Sequence, residues 1–203
     1  KVNRALNDQL IEALSEYSGS EISATMKDIL HRGKKYRPVL TSASCQAVGG
    51  NLEDSVRLGL AIELIHNATL IHDDIVDDDS IRRGSEAFHI KIGREKAVIY
   101  GDLMISLAVN LVSTYGKDIT RIFSEYGFKL CEGELNEITY GNYTDENLYM
   151  DTIKQKSGSL FKASSHLGAL IGRGSKYEVQ SLSDFGEYLG MAYQIRDDIN
   201  DFR

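Results

Sequence analysis

Apolar residues recur along this chain at the three-to-four spacing of a helix face, and no useful stretch shows the two-residue alternation of a strand. Val2, Leu6, Leu10, Ile11 and Leu14 predict a first helix over residues 2–15, and Ile22, Met26, Ile29 and Leu30 a second over 22–30. Pro38 suits a first helical turn, so a third helix carries Val39 to Val48 and stops at Gly49-Gly50. Asp54 or Ser55 opens a fourth, the central one, with Val56, Leu60, Leu64 and Ile71 in period. Residues 84–94 read as irregular and basic. Helices then follow over Val98–Tyr115 and Ile119–Ile138. Asn142, Tyr143, Thr144 and Asp145 make a short connection that caps a helix over 146–170. Gly172 and Gly174 break it, and residues 177–201 form the last helix. The prediction is an all-α fold, a single-domain multi-helix bundle of roughly eight helices spanning 1–203.

Composition narrows the partners. The 203 residues suffice for one sizeable core, and a single proline leaves long helices uninterrupted. A net charge of −7 argues against a nucleic-acid backbone as partner. Two cysteines, Cys45 and Cys131, supply neither a disulfide framework nor a metal spacing, so the expected setting is the cytoplasm. No apolar run approaches the ~20 residues of a bilayer span, so no stable membrane insertion is expected. The chain begins without methionine and ends inside a motif-bearing helix, which predicts a C-terminally incomplete domain.

Residues 60–84 carry the first chemistry. A mostly apolar helix runs into Asp73, Asp74, Asp77, Asp78 and Asp79, followed by Arg82, Arg83 and Gly84. Acidic runs at helix ends are usually solvated surface. Here the aspartates face the negative end of the helix dipole, an unfavourable placement for stability alone. Asp73 and Asp77 stand one turn apart on one face, as two carboxylates sharing hard cations would. The same Asp-Asp-x-x-Asp spacing returns at Asp197, Asp198 and Asp201, with Gln194 on that face. If the two helices face each other, their carboxylates hold Mg²⁺ ions and a diphosphate bridges them. Gly33-Lys34-Lys35-Tyr36-Arg37-Pro38 places three cations before a helix N-terminus, suited to a second, metal-free diphosphate clamp. His66 lies two turns before Asp73 on nearly the same face. Lys156-Ser157 sits in a helix among small residues, within reach of a phosphate.

Together these elements resemble the trans-isoprenyl diphosphate synthases, the polyprenyl synthetase family, from Gly33 to Asp201 and in family order. They are Gly33-Lys34-x-x-Arg37-Pro38, Glu63-Leu-Ile-His66, Asp73-Asp74-x-x-Asp77, Arg82-Arg83-Gly84, Gly101-Asp102, Lys156-Ser157 and Gln194-x-x-Asp197-Asp198-x-x-Asp201. The family's usual threonine after the lysine is Ser157 here, which keeps the hydroxyl. The resemblance implies an all-α fold around a central cavity (the isoprenoid synthase type I fold) and a homodimer. It also implies Mg²⁺-dependent condensation of isopentenyl diphosphate with an allylic diphosphate. It assigns Lys34, Arg37, His66 and Arg83 to isopentenyl diphosphate. Asp73, Asp77 and Asp197 become the main metal ligands, supported by Asp74, Asp198 and Asp201. Arg82, Lys156, Ser157 and Gln194 hold the allylic diphosphate.

The growing product should run down the apolar face before Asp73, and Thr69 lies about 6 Å back along it. In the family a bulky aromatic at this position or its neighbour makes a floor. Here Ala68 and Thr69 are small, so a geranylgeranyl or longer polyprenyl product is expected. Two rivals stand beside this reading. A class I terpene cyclase needs no second diphosphate clamp. A non-catalytic regulatory subunit of a heteromeric synthase has no need to keep both acidic clusters.

Overall fold

From Ser55 to Ala68 almost every side chain of one helix is buried, including Leu58, Leu60, Ala61, Ile62 and Leu64. A helix apolar on all sides has to be wrapped by others, and this one is the axis of the fold. The structure, a computed structural model, describes residues 1–15, 20–31, 33–141 and 145–201, the side chains of Ser20 and Asp201 excepted. Its helices are α1 (Val2–Ser15), α2 (Ser20–His31), α3 (Tyr36–Ala47), α4 (Leu52–Val76), α5 (Phe88–Ile92), α6 (Arg94–Ser113), α7 (Lys117–Tyr140), α8 (Glu146–Ile153), α9 (Ser159–Ile171) and α10 (Lys176–Asp201). A π-helical turn, Lys154–Gly158, joins α8 to α9. The axis is α4, packed by α1, α3, α6 and α9, while α10 lies along α9.

Local chemistry explains most boundaries. Asn51 caps α4 by accepting a hydrogen bond from the Asp54 N–H at 2.9 Å, so α4 opens at Leu52, earlier than the predicted Asp54 or Ser55. Asp145 caps α8 through the Asn147 N–H at 2.9 Å. The rest of the predicted connection, residues 142–144, lies outside the described residues. The stretch expected to be irregular, 84–94, holds β2 (Ser85–Glu86) and α5, and β2 pairs antiparallel in a hairpin with β1 (Ile81–Arg82) just before it. The single predicted helix over 146–170 is interrupted by the π-turn, which changes the direction of the side chains at 156 and 157.

Among the described residues α6 is the one helix long and apolar enough to cross a bilayer by length and composition, with a mean hydropathy of 1.4. Asp102, Ser106 and Asn110 interrupt its apolar run. Ala97, Gly101, Met104, Ala108 and Val112 form its buried face, and its strongest packing is against α4. Val98, Ile99, Leu103, Ile105 and Val109 stay exposed.

Candidate active site

A cavity of about 880 Å³ opens between the last turns of α4, the start of α3, the hairpin, α7, the π-turn and α10. Its walls differ in charge.

One wall is cationic. Lys35 adopts a left-handed backbone (φ 56) at the N-cap of α3. Its Nζ donates to Glu63 Oε1 at 3.1 Å, and Asn67 Nδ2 donates to the same oxygen at 3.2 Å. Lys35 is thereby engaged with α4, while its neighbour Lys34 stays well exposed at the cavity edge. Arg37 lies under the wall with its guanidinium 4.5 Å from the Phe161 ring centroid. Its Nε is buried with no hydrogen-bond partner among the described residues. Burial draws Arg37 from the ordinary arginine range down to about 10, against the pull of Glu63. His66 is held well below the usual histidine range, first by burial and then by Arg37, Arg83, Lys35 and Arg82. A neutral imidazole ringed by four cations marks a region short of negative charge. Arg83, itself left-handed (φ 52), stacks its guanidinium over Gly33. A side chain at 33 would occupy the same space, and φ 87 there already favours glycine.

The facing wall is acidic. Asp73 and Asp77 reach the cavity from α4 and Asp197 reaches it from α10. Burial raises Asp73 to about 6, with Lys156 opposing and Asp77 adding. Among the described residues no three histidine, cysteine or acidic side chains converge tightly enough to hold an ion by themselves. Asp73, Asp77 and Asp197 are the cavity carboxylates that could share in holding a cation whose shell other ligands complete. Lys156 projects from the π-turn, donates to Glu134 Oε2 at 2.8 Å and pairs with Glu137. Burial works against its charge, but the bonds to Glu134 and Glu137 prevail and raise its pKa. Two of its three donors are spent there, leaving one for the cavity.

Not every residue singled out in the sequence lines this cavity. Lys34, Arg37, His66, Thr69, Asp73, Asp77, Arg82 and Arg83 do, as do Lys156, Ser157, Gln194 and Asp197. Asp74 is 3% exposed and bonded to Arg82, which also reaches Asp79 at 3.4 Å. Asp74 therefore serves as an anchor for Arg82, rotated by one residue from the Asp73–Asp77 face. Asp198 accepts hydrogen bonds at both oxygens, from Tyr149 Oη at 2.6 Å and Gln194 Nε2 at 2.7 Å. Ala68 is fully buried in the core. The Asp201 side chain lies outside the described residues.

Sequence reasoning missed Glu134 and Glu137. Burial, then Asp73, raises Glu134 to about 7. Their signal was Gly133-Glu134-x-x-Glu137 inside a long helix. Gly133 lets α7 approach the backbone of Lys156 more closely than any side chain would allow.

Residues 20–203 match the family model described as "Polyprenyl synthetase". The chain is 35% identical, over 99% of its length, to a short chain isoprenyl diphosphate synthase of Methanothermobacter thermautotrophicus. It is 37% identical, over 82% of its length, to a geranylgeranyl diphosphate synthase of Sulfolobus acidocaldarius. The fold superposes on a decaprenyl diphosphate synthase from Rhodobacter capsulatus with a TM-score of 0.92, at 31% identity over 98% of this chain. The chain spans 64%, 54% and 63% of the lengths of these three proteins. Because the match runs from α2 to the end of α10 and so takes in both walls of the cavity, the chain belongs to the polyprenyl synthetase family.

Proposed function

We propose that this protein is a prenyltransferase that condenses isopentenyl diphosphate head-to-tail with an allylic diphosphate, giving a geranylgeranyl or longer trans-polyprenyl diphosphate. The observation that carries the reading is the pairing of two unlike walls on one cavity. Arg37, Lys34, His66 and Arg83 offer positive charge and donors without a metal, and Asp73, Asp77 and Asp197 offer carboxylates to one. Two diphosphates held in two chemical ways need both.

In this reading Arg37 and Arg83 bind the diphosphate of isopentenyl diphosphate, and His66, neutral, donates one hydrogen bond. Asp73, Asp77 and Asp197 hold magnesium, which when bound neutralises charge on the departing allylic diphosphate. Arg82, braced by Asp74, and the remaining N–H of Lys156 hold the same diphosphate. The allylic C–O bond breaks and the double bond of isopentenyl diphosphate attacks the resulting cation. A proton next to the new bond then leaves to the released diphosphate. The protein positions the reactants, complements the charge and excludes water.

The apolar end of the cavity meets Thr69, Leu130 and Leu160. Thr69 is too small to block a lengthening chain, which favours a product beyond farnesyl. Relatives bearing the names geranylgeranyl and decaprenyl diphosphate synthase support that range. Our reading also gives the protein a second copy of itself as partner, covering Val98, Leu103, Ile105 and Val109 of α6, and a cytoplasmic setting for its free cysteines. The test is incubation of the full-length protein with labelled isopentenyl diphosphate, an allylic diphosphate and Mg²⁺, followed by chain-length analysis. Elongation past fifteen carbons is expected. Cyclised products, or no elongation by the protein alone, would refute the reading.

A further inference from the structure

Four side chains form one hydrogen-bonded line from α8 to the cavity. Tyr149 Oη donates to Asp198 Oδ2 at 2.6 Å. Gln194 Nε2 donates to the other Asp198 oxygen at 2.7 Å. Ser157 Oγ donates to Gln194 Oε1 at 2.5 Å. The line begins at a residue away from the cavity wall, for neither Tyr149 nor Asp198 lines it. It ends at two that do, Gln194 and Ser157.

The order of donors is forced. An ionised carboxylate only accepts, so Gln194 has to turn its NH₂ toward Asp198 and its carbonyl toward Ser157. The Ser157 hydroxyl has one proton and spends it on that carbonyl. What remains for the cavity is oxygen lone pairs. The fixed Asp198 carboxylate therefore sets both the rotation of the Gln194 amide and the polarity of Ser157, two residues of the π-turn and α10 that border the reacting groups. It also holds the last turns of α10 to α8, and with them Asp197, the adjacent carboxylate that faces the cavity.

We infer that Tyr149 is a positioning residue for the prenyl-transfer site, acting through Asp198 on Gln194, Ser157 and Asp197. This rests on the prenyltransferase reading above. It assigns Asp198 to the same framework in place of a direct share in the metal. Without the Tyr149 hydroxyl, one carboxylate oxygen loses its donor and Asp198 is held by Gln194 alone, so the group that orients the Gln194 amide is no longer fixed to α8. The allylic side of the cavity is then disordered while the cationic wall, on other elements, keeps its geometry.

The experiment is a double-mutant cycle of Tyr149→Phe and Asp198→Asn in the full-length protein, with kcat, both KM values and the Mg²⁺ concentration for half-maximal rate. Tyr149→Phe is expected to lower kcat by about tenfold, the scale of a hydrogen bond to a charged group. It should also raise the Mg²⁺ requirement, while the KM for isopentenyl diphosphate stays within about twofold. The double variant should be no worse than Asp198→Asn alone, because one path carries both effects. Thermal melts of all variants show whether each is folded. Multiplicative losses in the cycle, or Tyr149→Phe with wild-type kcat and Mg²⁺ dependence, would overturn the inference and leave the prenyltransferase reading intact. A wild-type protein that forms no prenyl product overturns that reading instead.

Discussion

Replacing Arg37 by methionine should make the protein more stable and nearly abolish its use of isopentenyl diphosphate. An arginine kept for structure is normally paired, and deleting it costs stability. Arg37 is different: its Nε is buried without a partner among the described residues, and burial brings it down from the ordinary arginine range to about 10. That displacement corresponds to roughly 3 kcal/mol of strain on the charged form in the folded state. Part of the guanidinium meets the solvent-filled cavity, so roughly 1–3 kcal/mol is the fair range after screening. The sign follows from linkage. A cation with a depressed folded pKa is charged in both states at neutral pH, and its charge works against folding. Methionine fills similar space over Phe161 without the charge. For a domain of this size the melting temperature should rise by about 5 °C. Losing a bidentate contact to a diphosphate should raise the KM for isopentenyl diphosphate by about 100-fold or more. Scanning calorimetry and steady-state kinetics on one preparation read both. A variant that melts several degrees lower with KM unchanged would refute the argument that Arg37 is held in reserve for an anion.

Other perturbations follow from single observations. Thr69→Phe, at the cavity wall, should shorten the product, whereas Ala68→Phe, at a fully buried position, should instead destabilise the core by about 1–3 kcal/mol; chain-length analysis and melts separate the two. Gly133→Ala would set a methyl group against the backbone of Lys156 and should lower both stability and kcat, while Gly127→Ala on the same helix meets nothing and should stabilise by about 0.5–1 kcal/mol; denaturant titration checks the contrast. His66 is neutral with a pKa well below 6.5, so the unfolded state binds the proton first and His66 removes stability as pH falls below about 6.5. Asp73 and Glu134, raised by burial to about 6 and about 7, act oppositely and lose stability as pH rises from about 4 toward 7. The difference between wild type and His66→Gln therefore isolates the histidine, with a limiting slope of about 1.4 kcal/mol per pH unit. A difference that is flat between pH 4 and 7 would contradict it.

The helices and both acidic clusters were legible in the sequence because period and spacing are local properties. Choosing the inward face of α4 was harder. That helix is apolar all round where it crosses the core, so its period does not distinguish Ala68 from Thr69, and the structure settles them on different sides. The same rotation of one residue separates Asp73 from Asp74, which turns to Arg82. Two features were beyond a linear reading. The π-turn at 154–158 looks like ordinary helix in sequence, and its register depends on α7 and α10 packed against it. Glu134 and Glu137 meet Lys156 only because α7 crosses that turn at Gly133. The basic loop was readable as a group, but the division of labour within it was not. Lys35 is drawn to Glu63 by the left-handed turn before α3, while Lys34 and Arg37 are left to the cavity.

The central claim is that one cavity holds two diphosphates by two different chemistries. A crystal structure of the full-length protein with isopentenyl diphosphate, a non-ionising allylic thiodiphosphate and Mg²⁺ tests it most directly. The account predicts one diphosphate against Lys34, Arg37 and Arg83 with no metal between. It predicts the other bridged through Mg²⁺ to Asp73, Asp77 and Asp197, with Asp74 still on Arg82 and Asp198 still on Tyr149. Metal bound by Asp74 or Asp198, or both diphosphates on the same wall, would contradict it.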